Sequence, residues 1–264
     1  MNLHYHLRPA QTTAHFPVML LHGLFGSLDN LSTLGRSLQQ ESSVIQIDLR
    51  NHGLSPHSPE MNYAAMAQDV LALLDQLSIE KIIIIGHSMG GKVAMALTAI
   101  AASRIDRLII IDIAPAAYQN LRHDAIFFAL NAVTEAGITQ RQQAAELMRR
   151  TIEQEAVIAF LLKSFDNGAW RFNLPVLMNQ YDTITGWKEL PAWPGPVLFI
   201  RGELSPYIQN SHFDGIARQF PHARIDVIEG CSHWVHAEKP ASVLRAVQHL
   251  MPTTLSSSAR RATP

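Results

Sequence analysis

Cysteine is nearly missing from this sequence of 264 residues: Cys231 stands alone, which excludes an internal disulfide framework. Positive charge is also scarce. Lysine and arginine total 21 against 22 acidic residues, the net charge is −1, and no basic run is longer than a pair, such as Arg260-Arg261 near the end. Nucleic-acid binding needs a positive footprint, and none is present. No apolar run approaches the roughly 20 residues of a membrane span, so no membrane insertion is expected. The first residues, Met1-Asn2-Leu3-His4-Tyr5-His6-Leu7-Arg8, contain no apolar core of a secretory leader. A cytoplasmic protein is the expectation. What the chain does have is hydrophobic mass, 47% of its residues, enough for the core of one large α/β domain or two small ones.

That mass is distributed in short strand-like runs, each ending in polar residues. Residues 16–21 lead into His22-Gly23, 43–47 into Asp48, 82–85 into Gly86, 107–111 into Asp112, 196–200 into Arg201-Gly202, and 224–228 into Glu229-Gly230. Helical stretches between such runs imply an α/β fold: a mainly parallel twisted sheet with helices on both faces. In such sheets ligands bind beyond the carboxyl ends of the strands. The alternation lapses over 114–191, where helices are predicted around 124–133, 140–150 and 153–165, with another opened by Pro175. This stretch is read as a helical cap inserted in a core of residues 1–113 and 192–251. Residues 252–264, apolar-poor after Leu255, are read as a loose tail.

The most informative motif is Gly86-His87-Ser88-Met89-Gly90. It follows the buried-strand signature Ile82-Ile83-Ile84-Ile85 and precedes a helix-like segment from Gly91 to Leu97. Strand, G-x-S-x-G and helix in this order define a nucleophile elbow, with Ser88 as nucleophile. A serine hydroxyl needs a base to become nucleophilic. His233, after the last strand, holds the place where the base of such enzymes occurs, last in chain order. His236, three residues on, is its competitor and is assigned to the following helical segment.

The acid is the open question. Its customary position, the last of a G-x-x-D after the strand 196–200, is Ser205 here, in Gly202-Glu203-Leu204-Ser205. Asp112 at the end of the preceding strand is the preferred substitute. A carboxylate closing a nearly pure isoleucine strand needs a partner. Glu203 is the alternative, and Asp166 a distant third. For the oxyanion, the backbone N–H groups of Met89 and of Leu24, in His22-Gly23-Leu24-Phe25-Gly26, are the expected donors. His22 is read as a brace for that loop, Asp48 to Ser55 as a structural loop, and Cys231 as a packing residue. Metal is not expected, because His4 and His6 have no evident third ligand. Aromatic side chains Phe25, Phe127, Phe128, Phe160, Trp170, Trp187 and Trp234 are candidates for an apolar substrate pocket.

Over about residues 4–250 the chain resembles the α/β-hydrolase superfamily. The resemblance is carried by His22 to Gly26, Asp48 to Ser55, Gly86 to Gly91, and His233 with Glu238-Lys239-Pro240. More narrowly it is similar to the YbfF-type bacterial esterases and their mitochondrial relatives, through Asp112-Ile113-Ala114-Pro115, the missing acid at Ser205, and Ser232-His233-Trp234-Val235-His236. This resemblance implies an α/β-hydrolase fold and a Ser–Asp–His triad whose acid is Asp112. It also implies hydrolysis of small-molecule carboxylic esters or acyl thioesters without a cofactor. Two other functions fit the same scaffold. One is carbon–carbon bond hydrolysis or lyase chemistry, which a charged clamp from the cap or the Arg50 loop would favour. The other is ligand binding with slow turnover.

Overall fold

Alternate members of the isoleucine run turn to opposite faces, and each face is buried. Ile82 and Ile84 enter one apolar cluster, Ile83 and Ile85 the other; Leu108 and Ile110 part from Ile109 and Ile111 in the same way. This period of two is what a strand covered on both sides requires. The computed structural model describes residues 1–12, 15–118 and 123–251. The tail expected over 252–264 lies outside the described residues.

Nine strands are described: β1 Tyr5–Arg8, β2 Val18–Leu21, β3 Val44–Ile47, β4 Ile82–His87, β5 Ile105–Ile111, β6 Phe165–Asp166, β7 Ala169–Trp170, β8 Val197–Gly202 and β9 Ala223–Ile228. Seven form one sheet in the order β1-β3-β2-β4-β5-β8-β9, parallel except for β1. The α-helices are α1 Ser32–Leu38, α2 Tyr63–Gln76, α3 Met89–Ala101, α4 Asp124–Glu135, α5 Arg141–Met148, α6 Glu155–Leu162, α7 Leu174–Asn179, α8 Tyr181–Thr185, α9 Phe213–Gln219, α10 Val235–Glu238 and α11 Pro240–Leu250. Helices α4 to α8 all lie in the chain between β5 and β8.

Register is what positions the site. Leu21 pairs with Gly86, Gly86 with Ile110, His87 with Ile111, and Ile111 with Ile200. The carboxyl ends of β2, β4, β5 and β8 therefore finish at one level. The segments that follow them carry Leu24, Ser88, Asp112 and Ser205.

Two elements differ from the expectation. The helix predicted over 153–165 ends at Leu162, and Phe165 begins the small hairpin β6–β7. Its turn is Asn167-Gly168, with φ of 46° and 88°, the pairing of residue types that a two-residue hairpin loop favours. The edge strand β1 was not among the six runs.

Candidate active site

The elbow is held open by close backbone contact. A Cβ on Gly86 would lie 2.4 Å from the Gly90 carbonyl oxygen, and one on Gly90 would lie 2.3 Å from that of Leu21. Gly86 lets strand β4 approach the start of helix α3 this closely, and Gly90 lets α3 approach the end of β2. Between them Ser88 adopts φ 52°, ψ −119°, a conformation that costs a non-glycine residue about 1–3 kcal/mol. Its N–H donates to Ile111 O at 3.0 Å, and its carbonyl accepts from Gly91 and Lys92 at the start of α3. The strained turn presents Oγ at the level of the strand ends.

His233 meets that hydroxyl. Ser88 Oγ lies 3.1 Å from His233 Nε2, and His233 Nδ1 lies 2.7 Å from Asp112 Oδ2. The network assigns the tautomer: Nδ1–H donates to the carboxylate, leaving Nε2 free to accept from Ser88. The ring of Tyr207 stacks on His233 with 3.9 Å between centroids, and His87 Nε2–H donates to the His233 carbonyl at 3.0 Å. His87 and His236 pack ring to ring behind the base at 4.3 Å. Burial, reinforced by neighbouring histidines, pushes His236 down to about 3 and His87 well below its ordinary value. Both are neutral, and His236 belongs to α10, as expected.

Asp112 is 0% exposed. It accepts from His233, from the Gly202 N–H at 3.0 Å, and from the hydroxyl of Ser205. Ser205, which occupies the customary place of the acid, is thus a donor to the carboxylate just after β5. Asp112 itself has φ 53°, another strained residue beside the elbow. Glu203 is exposed and accepts the Gly230 N–H at 2.7 Å, so it orders the loop before His233 and does not touch the ring. Asp166 pairs with Arg171 at the surface.

The loop after β2 faces the elbow from the other side. His22 Nδ1–H donates to Gly23 O at 2.8 Å, and its Nε2 accepts from Leu49 N–H at 3.0 Å. His52 receives the Phe25 N–H on Nε2 at 3.2 Å and donates from Nδ1 to Arg50 O. Desolvation pushes His52 down to about 3 and lowers His22. Two neutral imidazoles therefore brace the turn that holds Leu24. Among the described residues, the Leu24 and Met89 N–H groups have no protein acceptor. Sequence reading missed the bracing role of His52, and that of Tyr207. Arg50 is turned into the core against Asp69 at 2.7 Å, and Asp48 accepts from Leu28 and Leu54 N–H. Both are structural. His4 meets Asp48, while His6 is exposed.

Two cavities meet at Ser88. The larger, about 240 Å³, is walled by Phe25, His87, Phe160, His233 and Trp234 among others. The smaller, about 40 Å³, runs along α3 past Met89 to Lys92, under Tyr118 and Ile184. Leu24, His123 and Tyr207 border both. Of the seven aromatic candidates, Phe25, Phe160 and Trp234 reach a cavity and four do not. Phe127 packs behind Phe25 at 5.4 Å. Phe128, the next residue on α4, points away and is 66% exposed, because consecutive helical side chains diverge by roughly 100°. Trp170 stacks on Phe172, and Trp187 packs on Tyr63.

The fold, the elbow and the histidine that faces it define a class. A model of the alpha/beta hydrolase fold matches residues 17–240, and the chain belongs to that family. Within it, the chain is 57% identical over 235 residues to Esterase YbfF of Escherichia coli K12, covering 89% of this chain and 92% of that one. It is 38% identical to the sn-1-specific diacylglycerol lipase ABHD11 of Danio rerio, over 88% of this chain and 77% of the relative. Among solved structures, a marine microorganism esterase superposes with a TM-score of 0.88 at 32% identity, over 95% of this chain and 99% of the other.

Proposed function

We propose that this protein is a serine hydrolase that cleaves small to medium carboxylic esters, and acyl thioesters by the same route, through an acyl-Ser88 intermediate. The observation that carries this reading is the continuous hydrogen-bond chain from Ser88 Oγ through His233 to Asp112. Its starting atom stands on a strained elbow between unoccupied N–H donors.

The chemistry follows from that geometry. His233 Nε2 takes the Ser88 proton as Oγ attacks the carbonyl carbon. The oxyanion is held by the Leu24 and Met89 N–H groups, whose preorganisation costs nothing at the moment of reaction. His233, now cationic and paired with buried Asp112, returns the proton to the leaving oxygen or sulfur, and the acyl-serine forms. Water then enters. His233 takes its proton, hydroxide attacks the acyl carbon, and the proton passes back to Ser88 as the acid departs. Residues 114–191 act as the cap that covers this centre. A cytoplasmic location belongs to the same reading, supported by the one buried, unpaired Cys231.

The relatives' activities, esterase and lipase, support ester hydrolysis. Arg50, which a carbon–carbon hydrolase could have used as a substrate clamp, is held by Asp69 instead. Hydrolysis of p-nitrophenyl acetate and butyrate tests the reading. Ser88→Ala should lose turnover by roughly 10³-fold or more, and after treatment with an alkyl fluorophosphonate, which loses fluoride as Ser88 Oγ attacks phosphorus, mass spectrometry should find the phosphonate on Ser88. Retained turnover in Ser88→Ala would refute it.

A further inference from the structure

A tetrahedral carbon on Ser88 has four directions to fill, and three are already assigned. One bond goes to Oγ. The oxyanion points to Leu24 and Met89. The leaving group must lie toward His233, because that ring hands it a proton. His233, Trp234 and His87 wall only the larger cavity, so the leaving group occupies that side. The remaining substituent, the acyl tail, is directed along α3 into the smaller cavity.

That cavity is short, and its end is built. Its volume of about 40 Å³ is roughly three water-sized units, room for about two or three carbons beyond the carbonyl. Lys92 closes it one helical turn beyond Ser88 and is 1% exposed. Its Nζ donates to Thr185 O at 3.0 Å and Gly186 O at 2.9 Å, at the end of α8. The ammonium lies 4.9 Å from the Tyr118 ring centroid, 5.5 Å from Tyr63 and 5.8 Å from Trp187. Such faces attract a cation. Tyr63 Oη donates to Ile184 O, and Tyr118 N–H donates to Thr185 O at 2.9 Å. Ile184, Thr185 and Gly186 are thus fastened to the core through their carbonyls.

Resting on the serine-hydrolase reading, we propose that the cavity closed by Lys92 is the acyl site and admits only short acyl groups. Lys92 sets this limit as a positioning residue, by tying the end of α8 down onto α3. The protein is then a short-acyl hydrolase tolerant of large apolar leaving groups.

The test compares two ester series with the full chain. In p-nitrophenyl esters from acetate to octanoate, kcat/KM should fall at least about tenfold between butyrate and octanoate, a clash worth more than one methylene. In alkyl acetates from butyl to octyl, followed by acid release, it should change by less than about threefold. Ile184→Ala, and Lys92→Met where the variant stays folded by thermal melting, should each raise the octanoate-to-acetate ratio about tenfold, chiefly through KM. A flat acyl profile in the wild type, a steeper fall in the alcohol series, or an unchanged ratio in Ile184→Ala would overturn the assignment. Absence of any Ser88-dependent hydrolysis would overturn the serine-hydrolase reading and this one together. Ser88-dependent hydrolysis without acyl-length preference would overturn this one alone.

Discussion

The hydroxyl of Ser205 donates to the carboxylate of Asp112 across the β5–β8 boundary. Position 205 lies in the loop after β8, the strand next to β5, whose end is followed directly by the acid, so a serine there completes the donor shell of a carboxylate that came from elsewhere. Three donors then hold one buried charge: His233, Gly202 N–H and Ser205.

Exchange of the two positions tests this arrangement. Asp112→Asn should lower kcat by roughly 10³–10⁴-fold, since an amide stabilises neither the needed tautomer nor the imidazolium. Glu203→Gln should change it little. The double variant Asp112→Ser with Ser205→Asp should recover part of the loss, because the carboxylate returns to a loop facing the same ring. Steady-state kinetics of the three variants decide the matter, and a severe loss confined to Glu203→Gln would contradict the geometry.

Ser205→Ala removes one donor from a fully buried carboxylate. Hydrogen bonds to charged groups contribute about 1.5–3 kcal/mol. A loss of that size should appear in urea unfolding at neutral pH.

His52 accepts the N–H of Phe25, which itself has φ 63°. His52→Leu leaves that donor buried without a partner and loosens the turn holding Leu24. The expected result is a fall in kcat, up to roughly 10²-fold and no more than the removal of an oxyanion donor, with KM little changed. A rise in KM at constant kcat would assign His52 to substrate binding instead.

Buried neutral histidines make the protein acid-sensitive. His52 and His236 stand near 3 in the fold, against about 6.5 in the unfolded chain. Below 6.5 the unfolded state binds more protons, so stability falls as pH drops toward 3, by up to about 1.4 kcal/mol per pH unit for each group. Urea unfolding between pH 7 and 4 should show this slope, and His52→Gln should flatten it.

Lys92 has a pH signature of the same sign in a higher window. Desolvation pushes it down to about 7, whereas an unfolded lysine titrates near 10.4. Between these values the unfolded state holds the extra proton, so the stability of the wild type should rise from pH 7 to pH 9 relative to Lys92→Met. The difference should grow by up to about 1.4 kcal/mol per pH unit. A constant difference would mean that Lys92 titrates normally.

Local sequence carried much of this protein. Four consecutive isoleucines, a glycine-flanked serine and a helix-forming segment specify strand, elbow and helix through short-range sterics, and the last strand places His233. Asn167-Gly168 was equally legible as a hairpin turn, but the apolar periodicity before it masked it. The helical aromatics were not legible as pocket residues: periodicity says which face is buried, not whether that face meets protein or a cavity.

By itself, then, the sequence determined the alternating architecture, the strained serine and the histidine that answers it, because each follows from local backbone preference and chain order. Only the tertiary structure decided what joins them. Strand register brought Asp112 beside Gly202 and Ser205, and the packing of α8 on α3 buried Lys92 and divided the space at Ser88 in two. Contacts between residues some ninety positions apart depend on how the sheet is ordered and covered, which residue types along the chain do not encode one at a time.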